Sequence, residues 1–143
     1  MFADTEFDIG SVYAEHHPYE SQVTVSIADI GAGIPHNVRR IHPELSDGDA
    51  ICRATEYGFS TNASPNRGVG LNHILSNVVG LNSGSAVIRS SGGCVVFEQI
   101  GDNFMAKVQN VTGSCIGTMI ELNIPTDRME WIGGNDDEEA LEW

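Results

Sequence analysis

Basic charge is what this sequence has least of. Its only lysine is Lys107, and seven basic residues stand against twenty acidic ones, for a net charge of -13. A protein that grips DNA or RNA needs a basic face, so a nucleic-acid partner is not expected. Cysteine is scarce too. Cys52, Cys94 and Cys115 are odd in number and form no C-x-x-C. A disulfide framework or a zinc site is therefore unfavoured, and a reducing, cytoplasmic compartment fits. No apolar run approaches a membrane span. The start "MFADTEFDIG" is acidic and lacks the apolar core of a signal peptide. With one lysine, placed in a strand pattern, there is no G-x-x-x-x-G-K-[ST] phosphate loop. Neither glycine cluster completes G-x-G-x-x-G, because the sixth positions are His36 and His73.

Apolar residues make up 41% of the 143 residues, enough for one domain with a real core. That domain is expected over residues 1–126. Residues 127–143 hold seven acids against one base, Arg128, and read as an acidic, solvated tail. "SVYAEHH" and "QVTVSIAD" alternate like two strands joined by a turn at Pro18–Ser21. "SDGDAICRATEYG" predicts a helix capped by Ser46, with Ala50, Ile51, Ala54 and Tyr57 as its buried stripe and Gly58 at its stop. "FSTNASPNRGVG" has no period and reads as a loop. It runs into a second helix, in which Leu71, Ile74, Leu75, Val78 and Val79 fall at helical spacing. Then come "SAVIRS", "VVFEQI" and "FMAKVQ", separated by hairpin turns, and finally "GTMIELNIP". Strands, helices, then strands, without β-α-β alternation, predict an α+β two-layer sandwich. Its helices should lie on one face of a mixed, mostly antiparallel sheet.

Two glycine clusters, "DIGAGIP" and "NRGVGL", carry the chemistry. Either alone reads most simply as a tight turn. Together they offer more. Asp29 is a carboxylate at the mouth of a strand, and an ionised carboxylate only accepts hydrogen bonds. Buried in a pocket it requires a donor, such as the exocyclic amino group of adenine. Free N–H groups at a helix start, with Arg67 beside them, suit a phosphate. One acid for a base and one helix start for phosphates describe a nucleotide.

"DIGAGIP", "NRGVGL" and "GTMIELNIP" resemble, in order and spacing, the three glycine-containing boxes of the GHKL superfamily. These are the histidine-kinase-like ATPases, which include DNA gyrase, the heat-shock chaperone ATPases and MutL. The resemblance covers roughly residues 11–125 and is nearer the stand-alone or sensor-kinase type than the gyrase type. It implies the Bergerat ATP-binding fold and binding of ATP or ADP. It implies Asp29 on the adenine amino group, with Gly31, Gly33 and Ile34 shaping the wall beside the ring. It makes residues 58–67 a lid. Arg67, Gly68, Val69, Gly70 and Leu71 would hold phosphates, and Thr118 would back Asp29 at the adenine end.

One departure limits this. ATP-using members carry an earlier helix with a glutamate and an asparagine that holds magnesium. Here the first asparagine is Asn37, after Asp29. Truncation just after that helix is favoured, and a degenerate site stays open. The expected function is the ATP-binding domain of a kinase or ATPase, with magnesium uncertain, no protein-held metal, and a protein partner or missing N-terminal segment. The alternative is a non-catalytic nucleotide-sensing or interaction module on the same fold. His16 and His17 alternate across a strand and are poorly placed for one metal.

Overall fold

The alternating segments form strands. The computed structural model describes residues 10–59 and 70–127. β1 (Gly10–His17) and β2 (Gln22–Asp29) make a hairpin, closed by a single 3-10 turn at Pro18–Glu20. β3 (Ser85–Ser91), β4 (Gly93–Ile100) and β5 (Asn103–Val108) make a meander, and β6 (Cys115–Pro125) is the longest strand. The six strands form one sheet in the order β1-β2-β6-β3-β4-β5. All of its pairings are antiparallel. The mixed sheet expected from the sequence is therefore corrected in one respect. β2 and β3 run in the same direction, but β6 returns between them, so no parallel pair forms among the described residues.

Among the described residues, three α-helices complete an α+β fold. α1 (Ile34–Arg39) follows the first glycine cluster directly, and the strand-and-turn patterning does not anticipate it. α2 (Asp47–Ala54) is capped as expected, with the Asp49 N–H donating to Ser46 Oγ at 3.2 Å. It ends sooner than the predicted stripe, so Tyr57 is exposed. α3 (Gly70–Leu75) continues as a π-helical turn over Ser76–Leu81. The expected stripe is only partly buried. Leu75 and Val79 are fully buried, whereas Ile74 is exposed.

The core lies between this helical layer and one face of the sheet. Ile51 of α2 and Leu75 and Val79 of the α3 segment meet Ala86, Ile88, Val95, Phe97 and Leu122. Strand alternation puts those sheet residues on one side, because Ile88 pairs with Val95 and Ile120, and Ala86 with Phe97 and Leu122. Phe97 meets Phe104 edge to face at 5.8 Å. The other end of the sheet is bare. Every residue of β1 is exposed or half-buried, and Val12 is 72% exposed.

The acidic tail lies outside the described residues apart from Asp127. Among the described residues, no helix is long and apolar enough to cross a membrane.

Candidate functional site

One row of cross-strand partners organises the site. Gly10 pairs with Asp29, Asp29 with Thr118, Thr118 with Ser90, and Ser90 with Gly93. The row crosses five strands at one end of the sheet. Paired residues share a face, so the side chains of Asp29, Thr118 and Ser90 all stand on the helix side. The core-facing positions Ile27, Ile120 and Ile88 are two residues inward on the same strands. The row is thus the polar continuation of the core, where the apolar pattern gives way to oxygen.

The strand-to-helix turn closes over this row. Gly31 N–H donates to Asp29 Oδ1 at 3.0 Å, an Asx turn that bends the chain away from β2. Gly33 adopts φ 95° as it enters α1. An added Cβ there would meet Ser90 Oγ at 2.9 Å and Ser91 Oγ at 3.2 Å. Glycine is therefore required at this position by both conformation and contact.

From the other side comes a bulge in β6. Pairing with β3 jumps from Thr118 to Cys115, and Gly117 takes φ 72°. A Cβ on Gly117 would collide with the Asp29 carbonyl. The bulge turns the Gly117 carbonyl toward Ser90, whose hydroxyl donates to it at 2.6 Å. Ser90 Oγ also accepts from the Ile34 N–H at 2.9 Å and lies 3.0 Å from Thr118 Oγ1. One fully buried hydroxyl thus ties the start of α1 to the bulge of β6.

Between these pieces is a cleft of about 450 Å³, lined by Gly10, Asp29, Gly31, Ala32, Gly33, Ile34, Asn37 and Thr118. Of the residues singled out from sequence, Asp29, Gly31, Gly33, Ile34 and Thr118 are brought together here. Gly70 and Leu71 open α3 but do not line this cleft, and Leu71 packs against the core. Arg67, Gly68 and Val69, and all of the expected lid beyond Phe59, lie outside the described residues. Asp29 is exposed rather than buried, so it escapes the desolvation penalty expected of it. Its Oδ2 accepts no hydrogen bond among the described residues, which leaves an acceptor facing the cleft.

Sequence reasoning missed three things. Gly10 enters only through its register with Asp29. Asn37 lies three residues after Ile34, one turn along α1, so reading that short helix would have found it. Ser90 sits at an ordinary alternating position of β3, and only its pairing with Thr118 reveals its part. Among the described residues, no group of three His, Cys, Asp or Glu side chains is placed to hold a metal ion.

No family model and no curated protein matches this sequence. Among solved structures, the chain is similar to the crystal structure of the B subunit of DNA gyrase from Myxococcus xanthus. The identity is 14% and the TM-score 0.45, over 90% of this chain and 35% of the gyrase chain. The chain thus spans about a third of that subunit's length.

Proposed function

We propose that this chain is the nucleotide-binding domain of a histidine-kinase-like ATPase, working in the cytoplasm and taking ATP or ADP. The observation that carries the reading is Asp29. Its carboxylate stands at the end of β2, with no donor to Oδ2 among the described residues, beside Thr118, at a cleft walled by Gly31 and Gly33. Such a carboxylate suits the amino group of adenine, and walls without side chains suit a flat ring. In this reading the phosphates lie toward the start of α3, on Gly68, Val69, Gly70 and Leu71 with Arg67.

In this reading magnesium is assigned no protein ligand, and no chemical step is routed through it. A protein partner belongs to the same proposal; nucleic acid and membrane insertion do not. A non-catalytic module that senses nucleotide is the second reading, for which the Asp29 end of the cleft alone would suffice. Turnover or phosphotransfer by this chain would count against that second reading.

Calorimetric titration with ATP and ADP, with and without magnesium, tests the proposal. Asp29→Ala should weaken binding about 10–100-fold, the worth of a hydrogen bond to a charged group. No binding by the unaltered chain, or binding indifferent to Asp29→Ala, would sink it.

A further inference from the structure

We infer that Ser90 is a positioning residue for the base-reading end of the cleft, turning the Thr118 hydroxyl proton inward so that Thr118, like Asp29, meets a ligand as an acceptor. This rests on the nucleotide-binding reading and adds a specificity-setting residue to it.

A serine hydroxyl has one proton and two lone pairs. The Gly117 carbonyl, 2.6 Å from Ser90 Oγ, can only accept, so the single proton of Ser90 is committed there. The Ile34 N–H, 2.9 Å away, occupies one lone pair. At the remaining contact, 3.0 Å to Thr118 Oγ1, Ser90 has no proton left to give. Thr118 is therefore the donor. Ser90 is 0% exposed, so water does not compete for these bonds.

The consequence lies in the cleft that Thr118 lines. With its proton spent on Ser90, Thr118 offers the cleft lone pairs only. Its register partner Asp29 is acceptor-only when ionised, with Oδ1 taken by the Gly31 N–H at 3.0 Å. Cβ atoms of such partners stand about 5 Å apart. Two neighbouring acceptors match the two N–H bonds of an amino group on a flat ring. They repel a ring carbonyl in the same place. Ser90 touches no ligand; it acts by fixing the polarity of Thr118.

The readout is the preference for ATP over inosine triphosphate, whose ring bears a carbonyl where adenine bears its amino group. Both Kd values are measured by calorimetry, with a melting curve for each variant. The unaltered chain should bind ATP at least about tenfold tighter, the worth of one hydrogen bond. Ser90→Ala frees the Thr118 proton to turn toward the cleft, and the preference should shrink about tenfold. Ser90→Thr, which keeps the hydroxyl, should preserve it. A merely structural role for Ser90 weakens both nucleotides alike, and an unchanged ratio in folded Ser90→Ala overturns the inference. If Ser90→Ala does not fold, Thr118→Val decides. A loss confined to ATP supports an accepting hydroxyl, whereas an equal loss, no loss, or a larger loss of inosine triphosphate overturns it. If the unaltered chain binds neither nucleotide, the proposed function falls and this inference with it. If it binds both without preference, this inference alone falls.

Discussion

The sheet contains two hairpins that look alike in sequence and differ in what covers them. β1 pairs with β2 over eight residues without a bulge, and β3 pairs with β4 nearly as regularly. In the second hairpin Ala86, Ile88, Val95 and Phe97 are fully buried. In the first no residue is buried, and Val12 and Tyr13 are 72% and 61% exposed. Both carry the alternation of a half-buried strand. The difference is the helical layer, which packs on β3 to β5 and leaves β1 bare. Alternation records which face of a strand is apolar; it does not record whether anything lies against that face. The candidate site sits across this boundary, with Asp29 on the bare side, Ser90 on the covered side and Thr118 between.

The comparison breaks most sharply at Phe97. Its side chain is fully buried under the helices and meets Phe104 edge to face. Phe97→Ala removes that packing and leaves a cavity, at a cost of about 3–5 kcal/mol. Urea denaturation followed by circular dichroism measures it. A loss below about 1 kcal/mol would mean that the covered hairpin is no better packed than the bare one.

A smaller effect tests how the cover is fastened. Asp47, at the start of α2, accepts from Arg39 at the end of α1 and, at 2.8 Å, from the Gly92 N–H in the β3–β4 turn. One carboxylate thus joins two helices to the covered hairpin, and among the described residues nothing comparable reaches β1. The Arg39 hydrogen bond holds its carboxyl below the ordinary value of 3.8, with help from Gly92 and against partial burial. A carboxyl whose pKa is depressed by folding stabilises the fold above its unfolded value. That contribution is lost as pH falls through the folded value, so the window lies below 3.8. Asp47→Asn should cost about 1 kcal/mol at neutral pH, since the ion pair is partly exposed. It should also flatten the fall in melting temperature as pH drops below about 3.8. An acid limb identical to that of the unaltered chain would remove Asp47 from the fastening.

These particulars decide what could be read from sequence. The strands were legible because their period of two is local, and Ser46 because a cap lies beside the helix it caps. Asp29, Gly33 and Thr118, which line one cleft, each stand in a glycine-containing segment. Three features were not legible. α1, with the sequence IPHNVR, is six residues long and buries only Pro35 and Val38, too few to print a helical period. The length of α2 was overestimated because Tyr57 falls at the right spacing but beyond the turn that ends the helix. Ser90 acquires its role from strand order, since β6 must lie between β2 and β3 before serine, threonine and aspartate share one row. Local pattern reports the conformation of a segment; a site assembled across strands depends on which strands are neighbours.

The smallest predicted effect sharpens the comparison from the other side. Val12 faces the same side of the sheet as the core, through its pairing with Ile27, yet it is 72% exposed. Val12→Thr keeps the β-branched shape that suits a strand and replaces one methyl by a hydroxyl that water can solvate. At a covered position such as Val95, the same change would strand a hydroxyl in the core. At Val12 the change in stability should stay within about 0.5 kcal/mol. Denaturation of the two variants side by side measures the contrast. A loss at Val12 approaching that at Val95 would mean that the apolar face of the first hairpin is covered in solution. The asymmetry between the two halves of the sheet would then have to be abandoned.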